Sequence, residues 1–287
     1  MLTIDRLNKS FGQKQVLHNI SIAIDQHEIV AFVGANGAGK TTLMKCMLGF
    51  LPFEGTITIA GEVVQFGETK SNAHIGYLPD VPQFYPFYTA KQYLKLCQQV
   101  SDYVSDARID EMLALVGLAD RKEKISQYSR GMKQRLGIAQ ALLHKPKLLI
   151  CDEPTSALDP EGRSQILSIL KEAKQETAIL FSTHILSEAE QISDRLLILH
   201  DQEIKYDGPI ARKKFTGQYE IRFAQQIDAD FQAQYQLEKM GDGWKLHVQT
   251  ALEKDAFLRE ATKRYSVEQF TPVAQTVEEF VKEVTER

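Results

Sequence analysis

A glycine-rich segment near the start of the chain has the residue types and spacing of a phosphate-binding loop. Residues 34–41 read Gly-Ala-Asn-Gly-Ala-Gly-Lys-Thr and fit the pattern G-x-x-x-x-G-K-[ST]. The apolar run at 28–33 predicts a strand before this segment, and residues 43–48 predict a helix after it. A phosphate-binding loop of this kind joins a strand to a helix, so the context supports the interpretation over a chance glycine turn.

Each residue type in this phosphate loop (residues 34–41) has a chemical reason to be there. Glycines let backbone N–H groups turn inward and approach phosphate oxygens closely. The helix that begins near Lys40 points its positive end at the phosphates, the Lys40 ammonium reaches the β- and γ-phosphates, and the Thr41 hydroxyl is a ligand for Mg²⁺. The predicted binding residues are Gly34, Asn36, Gly37, Ala38, Gly39, Lys40, Thr41 and Thr42.

Two adjacent carboxylates follow a second apolar run. Residues 148–151 predict a buried strand that delivers Asp152 and Glu153 to its C-terminal end, where open α/β sheets gather their ligands. We expect Asp152 to hold Mg²⁺ and Glu153 to orient and deprotonate an attacking water. An isolated acid pair of this kind is commonly a helix cap or a solvated pair, but with the phosphate loop it predicts nucleotide hydrolysis. His184 ends another apolar strand, where it can contact a γ-phosphate or be purely structural.

The hydrophobic pattern predicts an α/β fold with an antiparallel β patch, a helical insertion at about 86–143 and a parallel sheet. Strands are predicted at 2–4, 20–24, 28–33, 55–61, 147–151, 177–182 and 195–199, with a helix at 160–174. We expect the first domain to span 1–215 and a small α+β domain to span 216–287.

The amino-acid composition argues against several classes of protein. The 287 residues are 43% hydrophobic and 25% charged, as in an ordinary globular protein, and no apolar run approaches the ~20 residues that span a bilayer. The start of the chain lacks the apolar core of a secretory signal, so the cytoplasm is expected. The net charge is −4 and the excess acid lies after residue 215, which argues against nonspecific nucleic-acid binding. Three widely spaced cysteines predict neither a disulfide framework nor a metal site.

The span from about Leu2 to Phe215 resembles the ATP-binding cassette (ABC) ATPase subunit of membrane transporters. Besides the phosphate loop and the acid pair, residues 128–135 (Tyr-Ser-Arg-Gly-Met-Lys-Gln-Arg) are similar to the signature sequence of the family, and 156–159 to its D-loop. The resemblance gives roles to Ser129 and Gly131 on the γ-phosphate, to Asp159 in the D-loop, and to His184 as the switch histidine. It also implies that Phe11 stacks on adenine.

The resemblance implies ATP and Mg²⁺ as ligands, a head-to-tail dimer with a second ABC ATPase subunit, and a polytopic membrane permease as partner. The chain would then work at the cytoplasmic face of the membrane, and no nucleic acid is expected. Two departures stand out. The signature usually reads Leu-Ser-Gly-Gly-Gln, whereas Tyr128, Arg130 and Met132 replace three of the five residues here, a variant similar to exporter-like subunits. Asp80 stands where the family has a glutamine near the metal, and could reach Mg²⁺ or its water.

Two other functions compete with the transporter subunit. One is a soluble ABC-type ATPase that acts on the ribosome or DNA, which generally carries two cassettes or a long coiled coil. The other is a nucleotide-binding regulator without hydrolysis, although Lys40, Asp152, Glu153 and His184 are all present. The 216–287 segment resembles C-terminal extensions of some exporter subunits in general shape only. It could brace the dimer, sense a ligand or simply cap the core.

Overall fold

The computed structural model describes residues 1–68, 70–99, 104–210, 215–274 and 276–286. The chain divides into two compact units, the first formed by residues 1–210 together with the end of the chain from Val284, and the second by the residues between them. The domain boundary predicted at 215/216 lies next to residues 211–214, which are outside the described residues, and the predicted helical insertion includes 100–103, which are outside them as well.

The first unit contains two sheets with helices between their strands. Its strands are β1 (Leu2–Phe11), β2 (Lys14–Ile24), β3 (Ile29–Val33), β4 (Glu54–Ile59), β5 (Glu62–Val63), β6 (Ile75–Leu78), β7 (Leu148–Cys151), β8 (Ala178–Thr183), β9 (Arg195–His200) and β10 (Glu203–Pro209). Its helices are α1 (Lys40–Met47), α2 (Ala90–Gln98), α3 (Asp106–Leu115), α4 (Arg130–Leu142), α5 (Pro160–Ala173) and α6 (Leu186–Ile192), with short 3₁₀ helices at Lys70–His74 and Ile125–Gln127.

The antiparallel sheet has the strand order β2-β1-β4-β5. Strands β1 and β2 run longer than their hydrophobic alternation predicts, because they continue through irregular register between Ile4 and Ser10. Left-handed backbone at Arg6 and Asn19 accompanies these irregularities and interrupts the alternation. The hairpin therefore carries Phe11 at the end of a strand, paired with Lys14.

The second sheet has the order β10-β9-β3-β8-β7-β6, and all its neighbours are parallel except β9 and β10. Strands β3, β7 and β8 are buried along their whole length, as expected when both faces of a parallel sheet are covered. Because parallel strands end at one edge, the residues that follow β3, β7 and β8 come together there. This edge carries the candidate site.

Helices α2, α3 and α4 lie between β6 and β7 in the chain, each with a side-chain cap. Thr89 forms a capping box with Gln92 at the start of α2, and Ser105 caps α3. Ser129 caps α4 by accepting from the Met132 N–H at 3.2 Å.

The second unit has its own antiparallel sheet and core. Its strands are β11 (Phe215–Phe223), β12 (Glu238–Met240), β13 (Gly243–His247) and β14 (Val267–Ala274), in the order β12-β13-β11-β14. Its helices are α7 (Ala229–Gln234), α8 (Ala251–Arg264) and α9 (Val277–Thr285). Phe231 and Phe257, fully buried from α7 and α8, pack in a core with Ile221 and Leu246 of the sheet. In the part of the chain that the structure describes, no helix has the length and apolar content needed to cross a bilayer.

Candidate nucleotide-binding and hydrolysis site

The phosphate loop follows β3 and ends where α1 begins at Lys40. Gly37 and Gly39 have φ of 83° and 114°, conformations that L side chains rarely adopt. A Cβ on Gly39 would lie 3.0 Å from Leu17 Cδ2, and one on Gly34 would lie 2.6 Å from the Leu199 carbonyl oxygen. Conformation and close packing together therefore require glycine in this loop.

Lys40 directs its ammonium back over the loop. Its side chain is 7% exposed, and Nζ donates to the carbonyl oxygens of Gly34 at 2.6 Å and Ala35 at 3.4 Å. Nζ also lies 3.7 Å from Glu153 Oε1. The buried Lys40 ammonium therefore lies between the carbonyl oxygens of the phosphate loop and the Glu153 carboxylate. A phosphate oxygen could take the place of these partners.

Asp152 links the three strand ends. Its Oδ2 accepts from the Thr41 hydroxyl at 2.8 Å, and its Oδ1 accepts from the Ser182 hydroxyl at 2.8 Å. Asp152 is buried. Sequence reasoning missed Ser182, although a hydroxyl at the end of the otherwise apolar β8, two residues before His184, is a signal that could have identified it.

Glu153 is held from both ends. Its N–H donates to the Ser182 hydroxyl at 2.8 Å, and its Oε2 accepts from His184 Nδ1 at 2.7 Å. Its backbone is left-handed, with φ of 50°. A carboxylate hydrogen-bonded to a histidine at the mouth of a phosphate loop has the geometry of a general base with a positioning partner.

Asp152 also changes the acidity of its neighbours. Burial raises the pKa of Tyr77 to about 12, and the negative charges of Asp152 and Asp80 add to the effect. Burial raises the pKa of Cys151 as well, with a further contribution from Asp152. Both side chains are therefore neutral at pH 7, and Cys151 acts as a small core residue.

A second buried network supports the segment that follows Glu153. Glu188 of α6 accepts at Oε2 from the hydroxyls of Thr155 and Thr183, both at 2.8 Å. Glu188 is 4% exposed, and its Oε1 has no hydrogen-bond partner. This network ties the turn after Glu153 to the end of β8. No sequence pattern had pointed to it.

Ser129, Gly131 and Asp159 line a separate surface. With Arg130, Ala157 and Leu158 they contribute to a cavity of about 330 Å³ between the start of α4 and the start of α5. Asp159 caps α5 by accepting from the Gly162 N–H at 2.9 Å. Among the described residues, no hydrogen bond joins Ser129, Gly131 or Asp159 to Lys40, Glu153 or His184. The structure thus gathers the strand-end residues into one cluster and leaves these three on another surface.

Three further predicted residues lie around these two groups. The Phe11 side chain is 49% exposed, with the Lys9 ammonium 4.7 Å from its ring centre. Thr42 follows Thr41 in the first turn of α1. Asp80 contacts Arg130 and Ser156, and no hydrogen bond joins it to Thr41 or Asp152 in the described chain.

The donor set bears on the predicted magnesium ion. The described ranges contain no group of three or more His, Cys, Asp or Glu side chains arranged to hold a metal ion. Thr41 and Asp152 offer two hard oxygen donors, which suits Mg²⁺ that takes its remaining ligands from phosphate oxygens and water. The residues present therefore fit an ion that arrives with a nucleotide.

Comparison with known proteins identifies the family. Residues 17–156 match the ABC transporter family. The uncharacterized ABC transporter ATP-binding protein YxlF of Bacillus subtilis is 44% identical over 77% of this chain and 75% of its own length. The uncharacterized ABC transporter ATP-binding protein YdbJ of the same organism is 38% identical over 99% of this chain and 96% of its own. The chain belongs to the family of ABC transporter ATP-binding subunits, and it is an ATPase by class.

A relative with a named substrate and a solved structure extend this result. The bacitracin transport ATP-binding protein BcrA of Bacillus licheniformis is 39% identical over 76% of this chain and 72% of its own. The solved structure of an ATP-binding subunit of an ABC transporter is similar with a TM-score of 0.66 and 28% identity, covering 91% of this chain and 99% of that chain. The predicted family and the α/β P-loop fold class are confirmed.

Proposed function

We propose that two ATPase subunits, each this chain or one this chain and one a close relative, enclose two Mg-ATP and drive a separately encoded membrane permease. The observation that carries the proposal is the line of contacts from Lys40 through Glu153 to His184. It combines a cation for phosphate, a base for water and a histidine that holds the base. The variant signature at 128–132 and the relationship to BcrA favour export as the direction.

Each residue has a step in hydrolysis. Lys40 binds the β- and γ-phosphates, and Glu153 takes a proton from the attacking water while His184 holds its carboxylate in place. Thr41 and Asp152 would hold Mg²⁺, which neutralises developing negative charge on the phosphates when it is bound. Phe11 stacks on adenine with its exposed ring.

Dimerisation completes the site from the other surface. Ser129 and Gly131 lie at the positive N-terminal end of α4, which is an anion-binding position. We infer that this turn and Asp159 meet the nucleotide held by the opposite subunit. ATP that bridges two surfaces favours the closed state, and release of phosphate removes that preference.

The test is Glu153→Gln in the full chain. Loss of the base should lower kcat about 10²- to 10⁴-fold while ATP still binds, so the variant should elute as a dimer with Mg-ATP. The exposed Glu172→Gln is the matched control and should behave as the parent. Parental hydrolysis by the Glu153 variant, or a monomer at saturating Mg-ATP, would contradict the proposal.

The permease surface is proposed on the segment 81–88. Val81, Tyr85 and Phe87 are 53%, 55% and 59% exposed, and Phe87 lies 4.7 Å from Tyr88, ring centre to ring centre. Exposed, clustered aromatic side chains suit a partner with apolar helices. The segment directly follows Asp80, so a docked permease would contact the edge of the site.

Phe87→Glu tests this surface in membranes and in solution. Transport, or stimulation of ATPase activity by the permease, should be lost while the isolated subunit keeps its activity. Phe66→Glu, at a phenylalanine 60% exposed outside the segment, is the control. Loss of both activities would count against this surface. Co-purification with RNA or DNA instead of a polytopic membrane protein would favour the ribosome- or DNA-directed alternative.

A further inference from the structure

Two of the positions where the chain departs from the family pattern, Asp80 and Arg130, touch each other. Arg130 Nη2 donates to Asp80 Oδ1 at 3.4 Å and to the Ser156 hydroxyl at 2.9 Å. The Ser156 hydroxyl in turn hydrogen-bonds to Asp80 Oδ1. We name Asp80, Arg130 and Ser156 the three-loop cluster, because each belongs to a different segment.

The proposed mechanism requires that these segments keep fixed positions relative to one another. Asp80 follows β6 and precedes the exposed aromatic segment, and Arg130 is the first residue of α4, next to Ser129. The Ser156 N–H donates to the Glu153 carbonyl oxygen at 3.0 Å. The three-loop cluster therefore connects the start of α4 to the turn that follows Glu153.

Charge explains why Arg130 requires a partner. A cation in the first turn of a helix faces the positive end of the helix dipole, which is unfavourable. The acidic side chain of Asp80 offsets this charge from a neighbouring loop. Both side chains are about half exposed, 47% for Arg130 and 48% for Asp80, so the pair adds little to overall stability. Its effect is to select one position for the guanidinium.

We infer that Asp80 and Arg130 are a compensating pair of positioning residues, and that Asp80 serves in this chain to hold Arg130 and Ser156 instead of a metal ion. The inference rests on the proposed function, since the register of the signature turn with Glu153 matters only for hydrolysis between subunits. Among the described residues, no hydrogen bond or ion pair joins either side chain to the phosphate loop. ATP binding by one subunit is therefore independent of the pair.

A double-mutant cycle with Asp80→Gln, Arg130→Gly and the double variant tests the inference in the full chain. Each single change leaves one uncompensated charge beside the signature turn, so kcat should fall about three- to tenfold with KM nearly constant. The double variant, which restores both family residues, should recover most of kcat. Arg130→Lys should recover part of it, because lysine keeps the charge without the planar donor group.

Two further measurements separate the explanations. Without nucleotide, urea unfolding of the four proteins should show a coupling of about two- to fivefold in the unfolding equilibrium constant. The Mg²⁺ concentration for half-maximal activity should stay constant across the cycle. Asp106→Asn, which removes a similarly exposed ion pair with Lys95, is the control and should leave kcat unchanged.

The outcomes are distinguishable. Additive kcat effects, or no coupling in unfolding, would overturn the inference while the proposed function stands. An increased Mg²⁺ requirement in Asp80→Gln alone would also overturn it and would return Asp80 to the metal. A parent chain that fails to hydrolyse ATP would end the proposed function, and the unfolding cycle would still decide whether the pair is coupled.

Discussion

Two helices of the first unit begin beside glycines that we expect to meet phosphate, but they need glycine for different reasons. At α1, Gly39 has φ of 114° and a Cβ there would lie 3.0 Å from Leu17 Cδ2. At α4, a Cβ on Gly131 would have only Leu158 Cδ2 near it, at an ordinary 3.7 Å. The fold requires glycine at the first position and accepts a side chain at the second. The packing around Gly131 therefore gives no reason for a glycine there, in contrast to Gly39.

Gly39→Ala should give the largest effect, because it damages the fold and the site together. Forcing a Cβ into this backbone should lower the free energy of unfolding by about 1–3 kcal/mol, and ATP binding should weaken more than tenfold as the loop shifts. Urea unfolding and titration with a fluorescent ATP analogue measure both. Gly67→Ala, with φ of 78° and open space around it, is the control for conformation alone. Equal losses of stability and of ATP binding in the two variants would contradict the claim that close packing at Gly39 requires glycine.

Gly131→Ala should separate function from folding. Alanine is the better helix former by about 0.5–1 kcal/mol, so the free energy of unfolding should stay equal or increase. ATP binding to one subunit should be unchanged, whereas steady-state hydrolysis should fall about tenfold because the methyl group crowds the nucleotide of the opposite subunit. Full activity in a dimer with Mg-ATP would show that nothing docks closely at this turn.

Phe11→Ala extends the comparison to the adenine side of the phosphate loop. Loss of stacking should raise KM for ATP about tenfold with little change in kcat, since such contacts are worth about 1–3 kcal/mol. Stability should barely change, because the ring is half exposed. Phe11→Tyr keeps an aromatic face and should restore KM. An unchanged KM in the alanine variant would remove Phe11 from the site.

The smallest expected effect is at the contact between the far end of α4 and β6. His144, which follows α4, donates from Nε2 to the Ile75 carbonyl oxygen of β6 at 3.1 Å. Burial lowers the pKa of His144, with a smaller contribution from His74, although the hydrogen bond to Ile75 opposes the shift.

As pH falls, His144 is therefore protonated in the unfolded chain at a higher pH than in the folded chain. The contribution of His144 to the free energy of unfolding should be complete above about pH 6.5, the usual pKa of histidine, and should be lost as pH falls toward the lower folded-state pKa. Urea unfolding between pH 5 and 8 measures the slope, and His144→Gln should flatten it. An equal slope in the variant would assign the decline to other groups.

The sequence predicted the elements whose hydrophobic periodicity is strong. Strands β3, β7 and β8 are continuous apolar runs, and α5 follows a clear helical pattern, so both types were found near their observed bounds. Strands β6 and β10 were not predicted. The first has four residues and includes Gly76, where a side chain would collide with the Ala141 carbonyl oxygen of α4, and the second contains Gly208 and Pro209. Tertiary packing, which local patterns do not encode, places both.

The same division applies to the candidate site. Residues in fixed motifs, such as Lys40 and Glu153, could be named because the chemistry dictates their types and spacing. Glu188 accepts a hydrogen bond from Thr155, 33 positions away, and no local pattern records this contact. Ser182 contacts Asp152 across 30 positions, and only its place two residues before His184 was a local signal. The contact between Asp80 and Arg130, which are 50 positions apart, was likewise not predicted.

The left-handed backbone of Glu153 implies a compromise between the stability of the folded chain and the rate of ATP hydrolysis. A glutamate in this conformation is less stable than glycine by about 1 kcal/mol, but glycine would remove the carboxylate that accepts the proton of water in the proposed mechanism. A laboratory selection for heat resistance alone would accordingly drift toward glycine at this position. Under the proposed mechanism, the selected protein would be more stable and would bind ATP without hydrolysing it.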